Sequence, residues 1–268
     1  MPESAPAAVE RPASALSTAV EGGLVARGVS VGFGDRTVLA DVSMSSEPRT
    51  ITALIGPTGC GKSTLLRSFN RLNDRVPGFW RTGSIAMGGA EISAMDPLQL
   101  RRRVGMVFQR PNPFPMSIRE NVVAAVRTHR LAPKGTLPAV AERFLKEVGL
   151  WGAVADRLGD SPFRLSGGQQ QLLCLARALA VEPEILLLDE PTSSLDPVTT
   201  EIVEDLLRAL AERLTIVIVT HNLAQARRLS RATAFLYNGR LVEFGPTEQV
   251  FEAPSAPETV SYIGGRIG

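Results

Sequence analysis

Three short apolar runs open the readable part of the chain, at Leu24 to Phe33, Val42 to Ser46 and Ile51 to Ile55, and the third feeds a glycine-rich turn. Each has the length of a strand. After the turn the period changes: from Lys62 to Leu72 the apolar residues Leu65, Leu66, Phe69 and Leu72 recur at the spacing of one buried helix face. Helical patterns dominate between Pro111 and Ala180, notably at Ile118 to Val126, Val140 to Val148 and Gln169 to Leu179. A helical subdomain of about residues 111–180 inserted in an α/β core is therefore expected. Beyond it, the strand-sized runs Ile185 to Leu188, Ile216 to Val219 and Ala234 to Tyr237 alternate with the helical stretches Val198 to Ala211 and Leu223 to Leu229. Runs that are apolar throughout, separated by helices, predict parallel strands covered on both faces.

Composition narrows this picture only a little. The 268 residues suffice for one large α/β domain or for one domain carrying a smaller subdomain. A net charge of +2 leaves no global electrostatic footprint for nucleic acid, and no nucleic-acid partner is expected. No apolar run approaches the roughly 20 residues needed to cross a bilayer, so work at a membrane would require docking there. Residues 1–22 are rich in Ala, Pro, Ser and Glu and read as a disordered tail, not as a secretory signal, which leaves 23–268 as the folded domain. Cys60 and Cys174 are the only cysteines and read as small reduced residues.

The chemistry begins at the glycine turn. Gly56, Pro57, Thr58, Gly59, Cys60, Gly61, Lys62 and Ser63 fit the pattern G-x-x-x-x-G-K-[ST] between an expected strand and an expected helix. Glycines let the backbone wrap phosphate oxygens, successive N–H groups supply positive potential, Lys62 adds a cation, and the Ser63 hydroxyl can ligate Mg²⁺ with Thr64 assisting from the next position. A turn of this pattern arises by chance in about one chain in a hundred of this length. The buried run Ile185 to Leu188 ending in Asp189 and Glu190 argues against chance, because a carboxylate at a strand's carboxyl end suits a magnesium site. Asp189 is expected to hold the metal, and Glu190 to activate the water that attacks the γ-phosphate. Taken alone, Gln109, Asp196 and His221 read as a strand-end residue, a turn residue and a helix-start residue.

Their order around Leu165, Ser166, Gly167, Gly168 and Gln169 changes that reading, because this string resembles the signature of ABC ATPases. From about Leu24 onward the chain is similar to an ABC-type nucleotide-binding domain. The resemblance implies a P-loop NTPase core of RecA-like fold with an antiparallel β subdomain and a helical subdomain. It makes Gly56 to Thr64 the Walker A loop, Gln109 the Q-loop and a metal contact, Ser194 to Asp196 the D-loop, and His221 the switch histidine. Phe33 falls where the family places an aromatic against adenine, although a core strand Phe is the alternative. The implied ligands are ATP and Mg²⁺. The implied assembly is a head-to-tail homodimer, in which each signature completes the partner's site.

Narrower strings, Phe69 to Asp74, Gly105 to Pro115, Gly168 to Gln171 and Tyr262 to Arg266, resemble ATP-binding subunits of Pst-type phosphate importers. That resemblance implies ATPase activity coupled to inward phosphate transport, two membrane permease subunits, an extracytoplasmic phosphate-binding protein, and a peripheral location on the cytoplasmic face of the membrane. Two positions depart from the pattern: Leu172 stands where Arg is common, and Arg231 where Asp is common. An importer of another small solute is the main alternative. A soluble ABC ATPase fits less well, since the cassette is single and no long heptad coil interrupts it, and a P-loop kinase has no use for the signature.

Overall fold

The computed structural model describes residues 23–267 other than 194, so the expected tail at 1–22 lies outside the described residues. The chain opens with β1 (Leu24–Phe33), β2 (Arg36–Ser46) and β3 (Ile51–Ile55), followed by α1 (Lys62–Ser68). Next come β4 (Phe79–Met87), β5 (Ala90–Glu91), α2 (Pro97–Arg103) and β6 (Val104–Val107). Four helices then follow without a strand: α3 (Ile118–Thr128), α4 (Leu137–Glu147), α5 (Trp151–Val154) and α6 (Gly167–Leu179). The strand–helix alternation resumes with β7 (Ile185–Asp189), α7 (Pro197–Ala211), β8 (Thr215–Val219), α8 (Leu223–Leu229) and β9 (Ala232–Tyr237). The chain closes with β10 (Arg240–Pro246), α9 (Thr247–Glu252) and α10 (Pro257–Ile263).

Two sheets result. The larger runs β10-β9-β3-β8-β7-β6, parallel from β9 through β6 with β10 antiparallel at the edge. The smaller, β2-β1-β4-β5, is antiparallel. Every residue of β3, β7 and β8 is buried, which is why these strands read as unbroken apolar runs. Their side chains nevertheless divide by the period-2 rule. Ile55, Leu186, Leu188, Ile216 and Ile218 pack into the core shared with α3, α4, α6 and α7, whereas Leu54, Ile185, Leu187, Val217 and Val219 pack toward the small sheet.

Four strands escape the apolar pattern. β4 and β10 are half exposed, β5 has only two residues and β6 only four, so none shows a solid hydrophobic run. The helix expected over Lys62 to Leu72 ends at Ser68. Its end is fixed by Asn73, whose side-chain amide donates to Thr64 O at 2.8 Å and Ser68 Oγ at 3.0 Å, while Arg71 turns to a left-handed φ of 58°.

The two departures are both accommodated. Leu172 is buried beside a small apolar void with Val107, Leu188, Val203 and Leu207. Arg231 is exposed and pairs with Glu47 at 3.3 Å, a surface contact that contributes little to stability. Leu187 is fully buried at the centre of β7, so Leu187→Ala is expected to cost about 2–5 kcal/mol of unfolding free energy. Urea titration checks this through a lower midpoint at unchanged slope.

Candidate functional site

The site starts where β3 stops. Gly56 has a φ of 144°, and a Cβ there would lie 2.1 Å from Leu236 O, so only glycine lets the loop leave the sheet this close to β9. Gly61, at φ 109°, turns the loop into α1 against Leu39. Lys62, the next residue, is 7% exposed, and its ammonium donates back to Gly56 O at 2.6 Å and Pro57 O at 2.9 Å. The loop thus wraps its own cation. Cys60 faces the core, and burial, the dominant influence, pushes its thiol up despite the nearby charge of Lys62.

An open cleft of about 520 Å³ lies over this loop, lined by Thr58, Gly59, Gly61, Lys62, Ser63 and Thr64 together with Val38, Gln109, Glu190 and His221. The last three arrive from the ends of different strands. Glu190 follows β7, Gln109 follows β6, and His221 follows β8. Their side chains converge on one atom: Glu190 Oε2 accepts from Gln109 Nε2 at 2.8 Å and lies 3.2 Å from His221 Nδ1. The backbone at Glu190 is left-handed, φ 48°, an arrangement that costs about 1–3 kcal/mol for a non-glycine residue and collects at functional sites. Its amide donates to Val219 O at 2.9 Å, which ties the turn to β8.

Asp189 lies one residue back and is 3% exposed. Its Oδ1 accepts from Ser63 Oγ at 2.8 Å, and its Oδ2 pairs with Arg67 at 3.3 Å. Among the described residues no group of three or more His, Cys, Asp or Glu forms a metal cluster. One hydroxyl beside one buried carboxylate is nonetheless the donor set that suits Mg²⁺, which takes few protein ligands and shares its shell with phosphate oxygens and water.

The other expected residues fall outside the cleft. Ser166 caps α6 through a reciprocal pair with Gln169: Gln169 N donates to Ser166 Oγ at 3.3 Å, and Ser166 N donates to Gln169 Oε1 at 3.1 Å. Leu165 is buried, Gly167 is exposed, and Gly168 faces Thr199 and Leu195, which sets the start of α6 beside α7. Asp196 caps α7 by accepting from Thr199 N at 3.0 Å and Thr199 Oγ1 at 2.6 Å, bonds that hold its carboxyl below the usual range. Ser194 lies outside the described residues. Phe33 does not line the cleft and packs against Phe79, ring centres 5.8 Å apart.

Several contributors were not singled out from sequence. Arg67 stands one helical turn beyond Ser63, a spacing that places both on one face of α1. Val38 carries no signal of its own, and Asn73 enters only as part of the Phe69 to Asp74 string, with nothing there to announce that it folds back on α1. The segment after Gln109 is held from two sides: the fully buried Asn121 side chain bonds Phe114 N, Phe114 O, Met116 O and Ser117 O, and Arg177 bonds Asn112 O at 3.0 Å while stacking on Phe114.

A glycine-wrapped phosphate cradle at the carboxyl edge of a parallel sheet, with a carboxylate pair at the end of a strand two places away, defines a P-loop ATPase. The chain belongs to the ABC transporter family, whose model matches residues 39–193. It is 59% identical to the phosphate import ATP-binding protein PstB of Mycobacterium intracellulare, over 94% of this chain and 90% of that one. It is 58% identical to phosphate import ATP-binding protein PstB 2 of Mycobacterium tuberculosis strain H37Rv, covering 91% of this chain and 89% of that one. Identity to the PstB of Thermotoga maritima is 51%, covering 88% and 95%. In fold the chain is similar to a bacterial Atm1-family ABC exporter solved with ATP bound, with a TM-score of 0.78 at 24% identity, covering 97% of this chain and 44% of the exporter.

Because Lys62 is the cation of the cradle, Lys62→Ala is expected to weaken ATP binding about tenfold or more, the loss of a charged hydrogen bond of about 1.5–3 kcal/mol. Titration with a fluorescent ATP analogue checks it, and full retention of affinity would remove Lys62 from the site.

Proposed function

We propose that this chain is the ATP-hydrolysing subunit of an importer that moves inorganic phosphate across the cytoplasmic membrane. The observation that carries the solute is the 59% identity to a phosphate import ATP-binding protein over 94% of the chain. The observation that carries the chemistry is Glu190, held by Gln109 and His221 at the wall of a phosphate-type cradle.

In this reading the amides of Gly59 to Thr64 and the ammonium of Lys62 bind the β- and γ-phosphates, and Phe33 lies toward the adenine. Ser63, Asp189 and Gln109 would hold Mg²⁺, which when bound would neutralise charge on the phosphate oxygens. Glu190 takes the proton of the attacking water, and His221 and Gln109 keep its carboxylate turned toward the γ-phosphate. Ser166 and the amides of Gly167 and Gly168, which line no part of their own cleft, complete the site of a second copy, with Asp196 at the same face. Two copies therefore close over two ATP molecules and reopen after hydrolysis.

The stroke has a physical route out of the cleft. Gln109 senses the γ-phosphate, and the segment that follows it is clamped by Asn121 and Arg177, so a shift of Gln109 moves Phe114, which is 43% exposed. That surface suits a permease helix. Among the described residues no helix is long and apolar enough to cross a membrane, so passage of the solute falls to two permease subunits fed by an extracytoplasmic phosphate-binding protein. The chain itself docks peripherally at the cytoplasmic face.

The test is uptake. Reconstituted with its permeases and binding protein in vesicles holding ATP, the chain should drive entry of labelled phosphate that unlabelled sulfate and amino acids do not compete away. Stimulation by a different solute would discard phosphate as cargo. In the same vesicles Glu190→Gln should retain ATP binding and lose about 10²–10⁴-fold in turnover. Near-normal turnover by that variant would remove Glu190 as the base.

A further inference from the structure

Behind the cleft, between α7 and the loops that end β7 and β8, lies a second cavity of about 560 Å³ whose wall includes Glu190, His221, Thr192 and Glu204. At its back is a residue outside the catalytic set. Gln225 is 1% exposed, and each side-chain bond it makes goes to a different part of the machinery. Its Nε2 donates to Thr192 Oγ1 at 2.9 Å, two residues beyond Glu190. The same nitrogen donates to Glu204 Oε1 at 3.1 Å, two turns along the helix that Asp196 caps. Its Oε1 accepts from Thr220 Oγ1 at 2.8 Å, immediately before His221.

Two of these three partners are anchored in turn. Glu204 is 4% exposed and is gripped by Arg228 through both carboxylate oxygens, at 2.8 and 3.2 Å. Thr220 is buried and also accepts from Asn222 N at 3.0 Å, and Asn222 Oδ1 accepts from Gln225 N at 3.0 Å, which fixes the start of α8. An amide is the side chain that satisfies this arrangement. Two N–H groups meet a hydroxyl and a carboxylate while one carbonyl meets a hydroxyl proton, and neither a carboxylate nor an apolar group of the same length supplies both functions.

We infer that Gln225 is a positioning residue that locks α7, the helix that Asp196 caps, to the two loops carrying Glu190 and His221. Docking of a second copy at Asp196 is thereby registered at the base and the switch histidine. Gln225 is not among the residues that line the cleft, so its loss lowers the rate at which bound ATP is hydrolysed and leaves the cradle's affinity alone. The inference rests on the catalytic reading of Glu190 and His221.

The test uses the full chain, with steady-state ATPase, fluorescent-ATP affinity and thermal unfolding measured on the same preparations. Gln225→Met is expected to lower kcat roughly ten- to a hundredfold, the effect of misplacing a catalytic group by a fraction of an ångström to an ångström, with ATP affinity unchanged within about twofold. A kcat within about twofold of the parent, or an affinity loss as large as the kcat loss, overturns it. Should Gln225→Met fail to fold, the comparison moves to Gln225→Glu, which cannot donate to Glu204. The same loss of kcat at unchanged affinity supports the lock, and a kcat within about twofold of the parent overturns it. Glu190→Gln run alongside separates the two failures: turnover by that variant defeats the catalytic reading itself, while a dead Glu190→Gln beside a fully active Gln225→Met defeats the lock alone.

Discussion

Four neighbouring strands of one parallel sheet end at the same edge, and everything the protein does depends on that constraint. With the order β9-β3-β8-β7-β6, the carboxyl end of β3 supplies the phosphate loop, β8 supplies His221, β7 supplies Asp189 and Glu190, and β6 leads into Gln109. Parallel strands bring these four segments together although they are far apart in sequence, and the helices on both faces keep the strands dry. The 2.8 Å bond from Ser63 Oγ to Asp189 Oδ1 is the direct tie between the loop and the strand two places away. It sets the spacing at which one metal ion suits both side chains.

The start of α6 carries Ser166, Gly167 and Gly168 beside α7, and none of them lines the cleft of its own chain. In the proposed pair of chains they finish the site of the other copy. Beside them the buried Gln225, Glu204 and Thr220 and the half-buried Thr192 are joined by hydrogen bonds. Buried polar networks of this kind hold one arrangement because any other leaves groups unpaired.

Much of this was legible from residues alone, and for a definite reason. Strands buried on both faces appear as solid apolar runs, so β3, β7 and β8 declare themselves, and the glycines and Lys62 sit at a spacing fixed by phosphate geometry. What failed to show is equally physical. β4 and β10 are half exposed, and α1 stops at Ser68 because Asn73 folds back on it, which no periodicity announces. Gln225 and Arg67 act through partners brought near by the fold, so in the sequence they look like ordinary surface residues of short helices. Leu172, a departure in the signature helix, proves to be core.

The central claim is that ATP holds two copies of this chain together through the signature of each. Sedimentation of the full chain carrying Glu190→Gln, with and without ATP, tests it most directly. A dimer that forms or tightens with ATP, and its loss when Ser166→Arg is added, are expected. A species that stays monomeric at saturating ATP, or a dimer indifferent to Ser166→Arg, would contradict it.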